Sequence, residues 1–160
     1  VPRRSNFVTV FKRYEHPMSK GNTFENDLLK LIFQATAIAN IADNAAASPA
    51  TNLYVSLHTS DPGEAGDQTT NETAYTGYAR VAVARSGSGF TVTNNSVSPA
   101  ANIDFAECTA SAGAAITHFG IGTGSSGAGK LLYKGTVTPN ITMAVGVIPR
   151  LKATSAITED

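Results

Sequence analysis

Leu53-Tyr54-Val55-Ser56-Leu57-His58-Thr59 is the most regular segment of the chain, and Ser60-Asp61-Pro62-Gly63 follows it directly. Leu, Val and Leu alternate with Tyr, Ser and His, and a period of two is typical of a strand with an apolar and a polar face. The Asp-Pro-Gly sequence after it favours a turn. The segment is therefore predicted to be a β-strand that ends at a turn.

Further segments toward the C-terminus combine short apolar alternation with turn residues in the same way. They are Tyr78–Arg85, Phe90–Thr93, Asn102–Phe105, Ile116–Ile121, Lys130–Val137 and, less regularly, Met143–Ile157. No helical periodicity separates them, which disfavours a parallel β/α arrangement. The sequence therefore predicts a mainly β protein, an antiparallel β-sandwich or barrel of about six to seven strands.

One amphipathic α-helix is predicted on the N-terminal side, from about residue 22 to residue 44. Asn22 and Glu25 have the spacing of a capping box, and Pro49 prevents continuation of the helix. Apolar residues recur every three or four positions, which predicts a buried face that packs on the sheet. That face consists of Phe24, Leu28, Leu31, Ile32, Ala35, Ile38, Ala39 and Ala42. Residues 21–160 are predicted to form a single β-rich domain.

Residues 1–20 are predicted to form a basic, extended N-terminal arm. They carry five basic residues and one acidic residue, a net charge of +4, whereas residues 21–160 carry a net charge of −4. Such an arm can bind an acidic surface of a neighbour, a second copy of the domain included, or remain a solvated tail. Its apolar residues favour contact as an added strand or strap. The candidate partner-contact residues are Arg3, Arg4, Phe7, Val8, Val10, Phe11, Lys12 and Arg13.

The composition argues against several classes of function. Twelve Lys and Arg residues balance twelve Asp and Glu residues. Direct nucleic-acid binding is therefore not expected, because it usually requires a strongly basic domain. No apolar run approaches the ~20 residues of a membrane span, and no secretory signal is recognisable, so no membrane contact is expected. Cys108 is the single cysteine and cannot form an internal disulfide.

The segment Gly124–Lys130 has the glycine and lysine spacing of a phosphate-binding loop. Leu131 stands where such a loop carries the Ser or Thr that holds magnesium. A predicted strand follows it, so no helix N-terminus is available to receive a phosphate. The glycines are therefore predicted to form a hairpin connection.

Two other groups of residues suggest metal binding without completing a site. His58 and His118 could meet across a sheet, but two imidazoles alone make a weak zinc site. Asp61, Glu64 and Asp67 could supply oxygen ligands to calcium, although the spacing of an EF-hand loop is absent. The sequence predicts no catalytic residue, no metal site and no cofactor.

Five strings, in fixed order, resemble a family of small structural proteins of tailed bacteriophages, often labelled phage tail fibre proteins. The strings are LYVSLHTSDPGEAG (53–66), TGYAR (76–80), IDF (103–105), THFGI (117–121) and GKLLYKG (129–135). The resemblance covers roughly residues 22–160 and implies a virion component without enzymatic activity. The segment 1–17 departs from the family pattern, so the resemblance implies nothing about it.

The first functional interpretation is a capsid decoration or cement protein that binds and stabilises the mature head lattice. Fibres are long rods with repeats, and this chain shows no repeat. The alternative is a tail-associated structural protein, such as a tail tube, completion or fibre-base component, and a host-glycan-binding module is a third. The expected partners are the major capsid protein and further copies in a homo-oligomer, or tail proteins. The expected location is the virion, after synthesis in the bacterial cytoplasm.

Overall fold

Within residues 22–38 and 50–159, which the computed structural model describes (for Asn22 and Phe24 the backbone only), the chain forms one helix and nine strands. They are α1 (Asn22–Gln34), β1 (Asn52–His58), β2 (Val81–Ala84), β3 (Phe90–Thr93), β4 (Ser96–Pro99), β5 (Ile103–Asp104), β6 (Ile116–Gly122), β7 (Leu131–Ile141), β8 (Arg150–Leu151) and β9 (Ile157–Thr158). All strand pairs are antiparallel. The mainly β, antiparallel prediction is therefore confirmed.

The strands form one large sheet and two small ones. The large sheet has four strands in the order β2-β1-β6-β7, the second has the order β3-β4-β9, and the third pairs β5 with β8. Each predicted strand region contains an observed strand. Two details differ: β4 was not predicted, and the region Met143–Ile157 contains the short strand β8 and overlaps a second one, β9, only at Ile157.

The core lies on the apolar face of the large sheet. Val55 aligns with Val81 on one side and with Ile121 on the other. Ile121 in turn aligns with Tyr133, so one row of large side chains crosses all four strands. The ring of Phe33, from α1, packs on this row and lies 5.4 Å from the ring of Tyr133. The alternation seen in β1 therefore sets which face receives the helix.

Helix α1 ends ten residues before the predicted end at about residue 44, at Gln34. Ala35 has a φ of +55°, a left-handed conformation that ends an α-helix. The guanidinium of Arg85 donates hydrogen bonds to the last carbonyls of the helix, those of Leu31 and Ile32. These carbonyls have no partner within a helix that stops here, and a cation is favourable at a helix C-terminus. The predicted helix was therefore too long over residues 35–38, and residues 39–44 lie outside the described residues.

The buried face of α1 also differs from the prediction. Leu29 and Phe33 are fully buried and Glu25 is 4% exposed, whereas Leu28 and Leu31 are only half-buried. The actual face is rotated by about one residue, or 100°, from the predicted one. The reason is tertiary, because the ring of Phe33 packs edge-on against Phe90 at 4.8 Å, as well as against the large sheet.

Four other predicted helix positions have different outcomes. Ala35 is exposed, and Ile38 is buried but lies beyond the helix. Ala39 and Ala42 lie outside the described residues, as does the side chain of Asn22 in the predicted capping box.

Candidate functional site

The polar face of β1 is covered by the segment that follows this strand. The backbone returns beside β1, where the Thr73 amide donates to the Leu57 carbonyl at 2.9 Å. Ser56, His58 and Gln68 are thereby fully buried. Because buried polar groups require hydrogen-bond partners, this face must satisfy them internally.

The imidazole of His58 is held at both ring nitrogens. Its Nδ1 lies 2.8 Å from the carbonyl oxygen of Thr70, so Nδ1 carries the proton and donates it. Its Nε2 lies 2.9 Å from the hydroxyl of Ser56, which donates to it. Burial lowers the pKa of His58 below its ordinary value, which keeps the ring neutral. Ser56 and His58 have the contact of a nucleophile and base, but both are 0% exposed.

Arg80 and Glu72 form the main ion pair of this face. Arg80 Nε donates to Glu72 Oε1 at 2.7 Å, and Arg80 Nη2 donates to Glu72 Oε2 at 2.8 Å. The Arg80 side chain is 3% exposed and that of Glu72 is 16% exposed. Arg80 also donates to the carbonyls of Gly124 and Gly127, at 2.9 and 2.8 Å. One guanidinium thus joins the loop after β1 to the glycine-rich loop between β6 and β7.

Tyr78 connects this ion pair to the backbone of β1. Its hydroxyl donates to Glu72 Oε1 at 2.7 Å and accepts from the Leu57 amide at 3.1 Å. Burial raises the pKa of Tyr78, so the hydroxyl stays protonated. Its ring also stacks on Phe105. We call Gln68, Glu72, Tyr78 and Arg80 the polar network.

The glycine-rich loop is a hairpin connection, as predicted. Its Gly124 amide donates to Gln68 Oε1 at 2.8 Å, and its Gly129 amide donates to the Gly127 carbonyl at 2.8 Å. A Cβ on Gly129 would lie 2.2 Å from Gln68 Oε1, so a side chain there would collide with the polar network. The loop joins two strands, and these amides bind the protein itself rather than facing a site for phosphate.

The three acidic residues considered for calcium do not meet at one point. Asp61 and Glu64 both bind the Lys134 ammonium, at 3.0 and 3.2 Å. Asp67 Oδ1 instead accepts from the amide and hydroxyl of Thr69. Among the residues described, no three His, Cys, Asp or Glu side chains form a group that could hold a metal ion.

The two histidines do lie side by side. His58 aligns with His118 across β1 and β6, and His118 Nδ1 lies 2.8 Å from the hydroxyl of Thr117.

Cys108 is fully buried. None of the helices in the described part of the chain is long and apolar enough to cross a membrane.

An apolar groove of about 680 Å³ opens on the apolar side of the large sheet, opposite the polar network. Its lining includes Phe119, Val137, Ile141, Leu151 and Ile157, and Lys152 lies at its edge. Sequence reasoning missed this groove, because the groove is formed by β7 meeting β8 and β9. It also assigned no role to Arg80, although the string TGYAR contains it.

The eight candidate contact residues of the arm lie outside the described residues. They are Arg3, Arg4, Phe7, Val8, Val10, Phe11, Lys12 and Arg13.

The fold and the two faces of the large sheet define a β-rich structural domain. Its clustered polar side chains are bonded to one another or to backbone groups. The family described as Podophage GP4 fiber I protein gp80 matches residues 19–158. The chain belongs to this family of phage fibre proteins, which confirms the resemblance to phage structural proteins. No curated protein matches the chain significantly.

Proposed function

We propose that the protein is a non-enzymatic structural component of the tail side of a phage particle, of the fibre type. The observation that carries this proposal is the family match, which spans residues 19–158 and is described as a fibre protein. It favours the tail-associated alternative over capsid decoration, for which the comparisons offer no support.

The polar network supports a structural role. Arg80, Glu72 and Tyr78 are bonded to one another and to loop carbonyls, and His58 is bonded at both ring nitrogens. Catalytic groups need contact with substrate, whereas these groups hold two loops against one sheet. Rigid loops suit a protein that joins other proteins through its surface.

The arm extends this proposal. Residues 1–20, with a net charge of +4, bind an acidic surface of a neighbouring tail protein. The contact uses the basic residues Arg3, Arg4, Lys12 and Arg13 together with the apolar segment 7–11. Replacing the four basic residues by Ser should reduce incorporation into particles. Lys130→Ser, at an exposed position on the glycine-rich loop, is the control.

The proposed location is tested by separating tails from heads of purified particles and detecting the protein in each fraction. The major capsid protein marks the head fraction. Detection in the tail fraction, and density beside the tail in electron micrographs of particles labelled with an antibody, supports the proposal. Recovery with the heads in numbers that follow the capsid lattice refutes it and supports decoration instead.

A further inference from the structure

An irregular two-stranded ribbon runs away from the apolar groove. It begins where Ile103 pairs with Leu151 at the lining of the groove. It continues through the Cys108 amide, which donates to the Val147 carbonyl at 2.9 Å, and ends at a turn. Val145 in this turn stands six positions before Leu151, so the chain between them spans at most about 20 Å.

The turn exposes apolar side chains on a rigid frame. Val145 is 65% exposed and Ile148 is 54% exposed, and they are the large apolar side chains that the described residues leave exposed. The Val147 amide donates to the Ala144 carbonyl at 3.1 Å, and Gly146 has a φ of +87°. Turn residues are usually polar, so apolar side chains at a fixed turn indicate a contact surface.

A carboxylate lies beside this turn. Glu107 Oε1 is 4.0 Å from the position that a Cβ on Gly146 would take, and the Glu107 side chain is exposed. We call Val145, Ile148 and Glu107 the apolar tip.

The groove at the other end of the ribbon has the complementary character. Its floor is apolar, and Lys152 is exposed at its edge. Arg150, also at the edge, is already paired with Asp104 through two hydrogen bonds. The Lys152 ammonium makes no ion pair among the residues that the structure describes, so it can form one with a carboxylate of another copy.

We propose that the apolar tip of one copy binds in the apolar groove of a second copy. Val145 and Ile148 enter the groove, and the Glu107 carboxylate meets the Lys152 ammonium. Because the tip and the groove are two different surface patches of the chain, the contact is head-to-tail and repeats from copy to copy as a ring or a row. This inference goes beyond the tail-side location, since it concerns the protein's contact with itself.

The size of the contact indicates that it is weak for an isolated pair. A stable protein–protein interface buries about 1,200–2,000 Å² in total, and two side chains on a turn supply only part of this area. Repetition along an assembly compensates, because each further contact is made at a high effective concentration.

The arm is the other segment of this chain with a suitable apolar sequence, Phe7–Phe11. Its flanking residues Arg3, Arg4, Lys12 and Arg13 are all basic. They would approach a groove edge that carries Lys152, which is unfavourable. The charge at the edge therefore favours the tip, with its carboxylate, as the occupant.

The test is sedimentation equilibrium of the purified full chain over a concentration series at low salt. The mass average should rise with concentration. The double variant Val145→Ser/Ile148→Ser should raise the dissociation constant at least tenfold. Both side chains are exposed, so the melting temperature should stay close to that of the wild type, which confirms that the variant folds.

Charge exchange makes the test specific. Lys152→Glu and Glu107→Lys should each weaken association about fivefold, and the double variant should recover most of the loss. Lys130→Glu, an exposed lysine on the glycine-rich loop, is the matched control and should change nothing. Recovery in the double variant is the result that a loss of folding could not imitate.

Three results would overturn the inference. One is a monomer at every concentration, and another is association that the tip variants leave unchanged. The third is loss of association in Phe7→Ser/Phe11→Ser with no effect of the tip variants, which would make the arm the occupant. None of these results bears on whether the protein lies on the tail, so the proposed function is tested separately.

Discussion

Replacing Arg80 by Met should destabilise the domain strongly. The change leaves the Glu72 carboxylate with the Tyr78 hydroxyl as its remaining side-chain donor, and it removes the donors to two glycine carbonyls. Removing one partner of a buried ion pair typically costs about 3–5 kcal/mol, and the 16% exposure of Glu72 favours the lower limit. We therefore expect the free energy of unfolding to fall by about 3 kcal/mol, and the melting temperature by roughly 10 °C.

A second arginine provides a matched control. Arg150 binds Asp104 through its Nε and Nη2, the same two-point geometry as in the Arg80 pair. Its side chain is 52% exposed and that of Asp104 is 46% exposed. Solvent screens ion pairs between exposed side chains, so Arg150→Met should lower the free energy of unfolding far less than Arg80→Met does.

Urea unfolding of both variants, followed by circular dichroism, measures the difference. A double-mutant cycle of Arg80→Met with Glu72→Met should show a coupling energy of about 1–3 kcal/mol, because the two side chains are in direct contact. Equal losses in Arg80→Met and Arg150→Met would refute the reasoning, because burial would then not determine the strength of the pair.

Three further predictions concern single positions. Because the pKa of His58 is lowered by burial, the unfolded chain takes up a proton below about pH 6.5 that the folded chain does not. The free energy of unfolding should therefore fall as the pH goes from 7 to 5, and His58→Gln should flatten this slope in urea titrations. Gly120→Ala places a Cβ 2.8 Å from His58 Nε2 and should cost about 1–3 kcal/mol by the same assay, whereas Gly87→Ala, with open space around it, should be near neutral. Arg85→Ala removes the donors at the end of α1 and should cost about 1–2 kcal/mol, with thermal melting as the check.

The strands were predictable because their signal is local. The alternation in β1 determines which side chains face the core, and neighbouring strands follow the same rule. The turn sequences between them mark where each strand ends. β4 was missed because its sequence, Ser-Val-Ser-Pro, has one large apolar residue and a proline. Its pairing with β3 through the Asn94-Asn95 turn supplies what its composition does not.

The buried face and the end of the helix could not be predicted from local sequence. Leu28 with Leu31, and Leu29 with Phe33, both satisfy helical spacing, so periodicity alone cannot choose the buried face. Packing against β3 and β7 makes the choice. The end of the helix depends on Arg85, a residue more than fifty positions further along the chain. No sequence window of helical length contains that residue.

The sequence of the glycine-rich loop suggests a phosphate site, but in the structure the loop helps to hold the domain together. Its spacing imitates a phosphate-binding loop, yet in the fold its Gly124 amide binds the side chain of Gln68 and its Gly127 carbonyl binds the side chain of Arg80. The glycines at 122 and 129 are required because a Cβ at either position would lie 2.2–2.3 Å from the Gln68 side chain. Polar groups used in this way stabilise the frame beneath one face of the large sheet. The surfaces left to bind other proteins are those the network does not reach, the apolar groove and the tip of the ribbon.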